Sequence, residues 1–233
     1  MNGDMIAAAA ANPLFRGIAI ADMEAVLKAI DACAVRVRKG EQIVLDGARP
    51  IAVVLEGLIH IVQDDYWGTR SIIHMLMPGK TLGESFTTFP GANLNQKAVA
   101  QTDCTVLAFS KEKLLGEAFP EQRRILENLL GIYSIHQRIF LQKFQMLSCR
   151  KTRDRLLAYF SMMAFEKGSP RFTVPFTRQE MADYLCVERS AMCAALSAMQ
   201  KEGILRFKGR TFEMLHAPEA QQHNRGRNHH SRM

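Results

Sequence analysis

The stretch from Thr177 to Leu215 constrains the fold more than any other part of the chain. Thr177-Arg178-Gln179-Glu180 is a capping box: the threonine hydroxyl and the glutamate carboxylate satisfy the first free N–H groups of a helix. The pattern predicts a short helix over 178–185, a tight turn at Cys186-Val187-Glu188, and a second helix over 189–201. Met192, Leu196 and Met199 form the inner face of that second helix, and Gly203 stops it. Residues 204–207 and 211–215, joined by Lys208-Gly209-Arg210, read as a β-hairpin. Two short helices followed by a hairpin make a winged helix-turn-helix, a motif that places the start of its second helix in the DNA major groove.

The charge distribution agrees with that reading. The net charge is +7, yet residues 1–147 carry 15 basic and 15 acidic side chains and are neutral. Residues 148–216 carry 12 basic against 7 acidic, and residues 217–233 carry 3 against 1. The positive excess lies entirely in the last third, where a polyanion such as nucleic acid would meet it. A merely solvated basic face is the plain alternative.

Upstream the pattern is different. Residues 12–32 show apolar spacing of a helix, broken near Gly17. From Val35 to Phe109, short β-prone runs (42–45, 52–55, 58–62, 71–75 and 105–109) alternate with turn residues such as Pro78-Gly79 and Pro90-Gly91. Closely spaced short strands predict a small antiparallel barrel or jelly roll. Residues 64–68 read as the tip of a hairpin between two strands.

A long helix follows over 121–147, with two apolar stripes. One is Leu126, Leu130, Tyr133, Gln137, Phe140, Phe144, Leu147; the other is Ile125, Leu129, Ile132, His136, Ile139, Lys143, Met146. One stripe suffices to pack a helix on its own domain. Two adjacent stripes fit a helix that also packs on a partner, so the pattern predicts a homodimer through 121–147. Residues 149–154 are polar and mark a boundary, and another amphipathic helix is expected over 155–166. The tail 217–233 is basic, lacks apolar periodicity and is expected to be disordered.

The length of 233 residues fits two modest domains. No apolar run reaches the ~18–20 residues of a membrane-spanning helix. The alanine run 7–11 has no basic segment before it and is not expected to be a secretory signal. Five cysteines without paired spacing point to a reduced, cytoplasmic protein.

A β-roll, a long dimer helix and a winged helix-turn-helix, in that order, resemble the cyclic-AMP receptor protein and fumarate–nitrate reduction regulator (Crp/Fnr) family. The resemblance covers about residues 12–216. It is carried by Asn12-Pro13-Leu14-Phe15, Val54-Leu55-Glu56-Gly57, Pro78-Gly79 with Gly83-Glu84, and Phe176-Thr177-Arg178-Gln179-Glu180-Met181-Ala182. It implies an α+β protein with an effector-binding roll over 12–120, a dimerisation helix and hinge over 121–149, and a DNA-binding domain over 150–216. It also implies a homodimeric transcription regulator without catalytic residues, in which an effector reorients the DNA-binding domains. The partners would be a near-palindromic double-stranded operator with half-sites ~34 Å apart, the second copy, and RNA polymerase.

The same resemblance maps the effector pocket. In cyclic-AMP-binding members a Gly-Glu pair is followed, eleven residues after the glycine, by Arg-Ser, which holds the phosphate. Here Gly83-Glu84 is followed by Leu94-Asn95. A phosphodiester needs a compensating cation, best an arginine fork, and Leu94 supplies none. The expected effector is therefore not cyclic AMP. Lys97 is nearby, but an alternating strand does not secure its inward direction. On the long helix the effector-facing positions fall at Phe140 and Leu141, which favours an apolar or flat effector or a pocket filled by side chains. Glu84 either binds effector or caps backbone N–H groups.

Haem is the sharper version of the apolar idea, since some members sense gases through histidine-ligated haem. His60 and His74 in predicted strands and His136 on the long helix are the candidate ligands, against the plain reading of two surface strand histidines and one packed polar residue near the interface. The cysteine cluster of the iron–sulfur branch is absent, so no Fe–S cluster is expected. His223, His229 and His230 do not have structural zinc spacing, and no metal site is expected.

For DNA, the resemblance assigns phosphate contacts to Arg178 and Gln179 and base edges to Arg189 and Ser190. Lys208 and Arg210 in the wing are expected to meet phosphates. The turn and second helix depart from the usual Leu-Gly-Val-Asp-Arg-Ser-Ala-Leu-Ser-Arg-Glu-Leu: Cys186 replaces the glycine, Glu188 is a poorer cap than aspartate, and Ala194 and Ala195 replace charged residues. Weaker DNA binding or a different operator is expected. Cys193 offers redox sensitivity or merely a small packed side chain. Enzyme readings lack their motifs: the roll has no His-x-His metal pair, and there is no Walker loop or Gly-x-Ser-x-Gly elbow. The remaining alternatives are a haem-based gas or redox sensor of the same fold, and a non-DNA-binding interaction protein with a degenerate recognition helix.

Overall fold

The computed structural model describes residues 3–45, 49–83, 96–116 and 118–215. Two compact units divide at Leu141/Gln142, within the long helix.

In the first unit, helix α1 (Gly3–Ala10), a 3-10 turn (Pro13–Phe15) and helix α2 (Ile20–Ala29) precede the strands. The helical stretch expected over 12–32, with a break near Gly17, is seen as a 3-10 turn before Gly17 and a helix after it. Asn12 explains the turn: its side-chain oxygen accepts from the Leu14 N–H at 2.9 Å, and Pro13 presets the first φ. The strands are β1 (Cys33–Val37), β2 (Gln42–Ile43), β3 (Ile51–Glu56), β4 (Ile59–Asp64), β5 (Arg70–Leu76), β6 (Thr81–Leu82), β7 (Gln96–Ala100) and β8 (Cys104–Phe109). They form two four-stranded antiparallel sheets, β1-β8-β3-β6 and β2-β7-β4-β5. Five of these strands were legible as β-prone runs. β1, β6 and β7 were not, because Cys33–Val37 contains Arg36 and the other two are short or polar.

Alternation sends one set of residues inward. Val37, Ala52, Val54, Ile59, Leu76, Ala100 and Val106 close the interior of the roll. On the other face of the first sheet, Ile51, Val53, Leu107 and Phe109 pack under α1, α2 and the start of the long helix, with Leu14 and Phe15 at their centre. Helix α3 (Lys111–Leu115) is capped by Ser110, which accepts from the Lys113 N–H.

Helix α4 (Gln122–Leu147) turns most of one stripe inward and the middle of the other outward. Ile125, Ile132, Lys143 and Met146 are buried, whereas Leu130, Tyr133, Phe140 and Phe144 are 53–69% exposed. In the first unit, Asn128 donates to the carbonyls of Leu14 and Arg16, both at 2.9 Å, which fixes the helix rotation.

The second unit continues with α5 (Thr152–Lys167), β9 (Arg171–Thr173), α6 (Arg178–Leu185), α7 (Arg189–Lys201), β10 (Leu205–Lys208) and β11 (Thr211–Met214). β10, β11 and β9 form an antiparallel sheet. Its core is aromatic: Phe160, Phe172 and Phe212 pack together, as do Tyr159, Phe176 and Tyr184. No helix among the described residues is long and apolar enough to cross a membrane.

Candidate nucleic-acid interface and effector region

The capping box at the start of α6 is formed on both sides. The Glu180 N–H donates to the Thr177 hydroxyl at 3.2 Å, and the Thr177 N–H donates to the Glu180 carboxylate at 2.6 Å. α6 ends at Cys186, whose φ of 52 and ψ of 52 are left-handed, the conformation that favours the glycine it replaces. Arg155 holds this turn. Its guanidinium donates to the carbonyls of Cys186 and Leu185 at 2.8 and 3.2 Å and to that of Cys149 at 2.8 Å, clamping the turn to the linker. Nothing in the sequence marked Arg155 for this role, because its three acceptors come from two distant segments.

α7 begins at Arg189, and its cap residue Glu188 makes no side-chain cap bond. Arg189 and Ser190 are both exposed there, at the positive end of the helix dipole. Ala191, Ala194 and Ala198 are also exposed, so the outward face offers methyl groups and only one long donor near its start. Met192, Leu196 and Met199 are buried as expected. At the other end of α7, Glu202 takes a two-pronged ion pair from Arg153, at 2.9 and 2.6 Å.

The remaining expected DNA residues are less alike than the sequence suggested. Lys208 and Arg210 are exposed on either side of Gly209, which turns the wing at a φ of 58. Gln179 is exposed and donates to Asp183 at 2.8 Å. Arg178 is engaged within the domain. Its guanidinium carbon lies 4.9 Å from the ring centroids of both Phe207 and Phe212, and one of its nitrogens donates to the Gly209 carbonyl at 3.0 Å. Burial lowers its pKa from the ordinary arginine value.

Two further features lie at the end of α4. The Lys143 ammonium sits 4.1 Å from the Tyr184 ring centroid, and burial pushes it down to about 8. Tyr184 is pushed up to about 12 for the same reason.

In the roll, Gly83 has a φ of 89, and a Cβ there would run into the Pro50 carbonyl oxygen. Glu84, Leu94 and Asn95 lie outside the described residues. Arg70 and Lys97 together hold the Asp64 carboxyl down at about 2, with Lys97 paired to Asp64 at 3.2 Å. The His136 ring meets His74 of β5 edge to face, with centroids 5.6 Å apart. Phe140 and Leu141 are not brought to the same place. They stand 63% and 54% exposed, because each helical residue turns ~100° and the roll-facing stripe runs through 132, 136 and 139 instead.

The histidines do not fit haem held from both sides. His74 and His136 are in ring contact, which leaves no room for a macrocycle between them. His60 is 2% exposed, not a surface residue, and lies within the sheet. Among the described residues no group of three or more His, Cys, Asp or Glu is placed to hold a metal ion. None of the five cysteines is in a disulfide; Cys186 is exposed and Cys193 half-buried.

Comparison with known proteins matches the two units separately. Residues 34–118 match the cyclic nucleotide-binding domain, and residues 154–219 match the Crp-like helix-turn-helix domain. The transcriptional activator protein FnrL of Cereibacter sphaeroides is 22% identical over 170 residues, which is 69% of this chain. The match spans 66% of that relative's length. Among solved structures, the c-di-GMP-responsive global regulator CLP of Xanthomonas campestris superposes with a TM-score of 0.68 at 18% identity, covering 85% of this chain and all of that one. FixK2 of Bradyrhizobium japonicum superposes with a TM-score of 0.60 at 20% identity, over 80% and 93% of the two chains. At such identities these likenesses establish the fold.

Proposed function

The chain belongs to the Crp/Fnr family, and from that premise we propose that it is a homodimeric, effector-controlled transcription regulator. Residues 12–120 would bind the effector, 121–149 would form the dimer, and 150–216 would bind a near-palindromic operator. The observation that carries this reading is the start of α7, where Arg189 and Ser190 are exposed on the second helix of a Crp-like helix-turn-helix. An arginine there can bond guanine O6 and N7 together. The wing cations Lys208 and Arg210 would add phosphate contacts, and RNA polymerase would be the partner of the DNA-bound dimer.

The exposed stripe Leu130, Tyr133, Phe140 and Phe144 supports the dimer, since four large apolar side chains on one helix face are costly to leave in water. The effector is proposed not to be cyclic AMP. Leu94 stands where a phosphate-binding arginine would be, and Lys97 is held by Asp64. Any effector acts only through different affinities for DNA-competent and DNA-incompetent states.

Selection of bound duplexes from a random-sequence library tests the reading. A two-fold-related consensus is expected. Arg189→Ala should then lose ~1–3 kcal/mol of preference for the consensus guanine, roughly 5- to 150-fold. An unenriched library, or Arg189→Ala binding the consensus as the parent does, would overturn DNA reading by this helix and leave the interaction-protein alternative.

A further inference from the structure

The anchoring of Arg178 on the wing assigns it a role distinct from phosphate contact. It stands at the first position of α6, yet its side chain reaches the hairpin. Phe207 and Phe212 are directly paired across β10 and β11, with ring centroids 5.6 Å apart, and the guanidinium lies 4.9 Å from each ring. One nitrogen of the same guanidinium donates to the Gly209 carbonyl. Gly209 is the residue between Lys208 and Arg210, so this bond holds the backbone from which both wing cations project. A planar fork can lie on two rings and bond a carbonyl at once, which a lysine ammonium cannot do.

We infer that Arg178 is a positioning residue for the wing: it presets the hairpin tip so that Lys208 and Arg210 meet phosphates without first being ordered. The composition of α7 makes this matter. Ala191, Ala194 and Ala198 are exposed on its outward face, and Arg189 is the one cation ahead of its last residue, Lys201, so the wing carries a larger share of the contacts than it would beside a helix rich in cations. Ordering a loose two-residue turn at the moment of binding would weaken the complex through lost conformational freedom.

The DNA half of this proposal rests on the function proposed above; the wing half does not, and two measurements separate them. In the DNA-free protein, Arg178→Met should speed hydrogen exchange at the Lys208 and Thr211 amides while the amides of α7 keep their protection. Unchanged exchange at the wing would overturn the proposal, whether or not the protein binds DNA. The second measurement is the salt dependence of affinity for a mixed-sequence duplex, compared between the parent and a Lys208→Ser/Arg210→Ser background. Arg178→Met should weaken binding in the parent and do nothing more in the background without wing cations. If it instead lowers the salt slope by about 0.9 in that background, Arg178 is itself a phosphate contact and the proposal fails. If the parent binds no duplex, the proposed function falls, and the exchange comparison still decides whether Arg178 holds the wing.

Discussion

The Lys143 ammonium lies 4.1 Å from the centroid of the Tyr184 ring, joining the last turns of α4 to α6 within one unit. The lysine occupies the buried stripe of its helix, 8% exposed, and burial pushes it from 10.5 down to about 8. The ring face recovers part of the cost of burying the charge.

The sign of the pH effect follows. Below pH 8 the lysine is charged in both folded and unfolded chains, and the cost of its burial is fully present. Between pH 8 and pH 10 the unfolded chain holds a proton that the folded one has released, so stability rises with pH. Above pH 10 the raised Tyr184 begins to oppose this, because the unfolded phenol ionises first. Urea unfolding across the window should show the rise, and Lys143→Met should abolish it while stabilising the protein at neutral pH. A parent curve flat from pH 8 to pH 10 would contradict the burial of the charge.

Cys186 holds a left-handed conformation at the end of α6. Replacing it with glycine removes a strain of ~1–2 kcal/mol and returns part of it as unfolded-chain entropy, for a net gain of about 0.5–1 kcal/mol. Cys186→Gly is therefore expected to raise the melting temperature, and Cys186→Val to lower it.

Thr177 satisfies a free N–H of α6 and receives the reciprocal bond from Glu180. Thr177→Ala should cost about 1 kcal/mol and Thr177→Ser much less, as read by denaturant midpoints.

Gly83 combines a φ of 89 with a backbone carbonyl where a Cβ would be. Gly83→Ala should destabilise the roll by at least ~2 kcal/mol. Calorimetry should show an earlier transition for the roll, while the transition of the helix-turn-helix unit stays in place.

Phe140 and Phe144 are each 63% exposed on the outward stripe of α4. A double change to glutamate should convert a dimer to a monomer in sedimentation at micromolar concentration, with the melting temperature of the second unit little altered. A monomeric parent would remove the dimer proposal.

The helix-turn-helix was legible in the sequence to the residue. Helices 178–185 and 189–201 stand where the capping box, the turn and the apolar spacing put them, because each of those signals acts within four residues. The roll was legible as a class but not as an arrangement. β1 pairs with β8 across 75 residues of sequence at Cys33 and Ala108, and no local pattern specifies such a partner. The break near Gly17 was legible in the early helical stretch, but not that Asn12 and Pro13 make the part before it a 3-10 turn.

By itself the sequence determined the order of roll, long helix and helix-turn-helix, the bounds of the two short helices of that motif and the two stripes of α4, since all of these arise from periodicity and nearby hydrogen bonding. Tertiary structure decided which stripe is buried, that His136 meets His74 while Phe140 and Leu141 face outward, and that Lys97 serves Asp64. It also decided that Arg155 and Arg178 are committed to carbonyls inside the domain while Arg189 stays exposed. An arginine has the same chemistry wherever it stands in a sequence. What it does depends on which acceptors and rings the fold brings within its reach, and only packing between distant segments sets that.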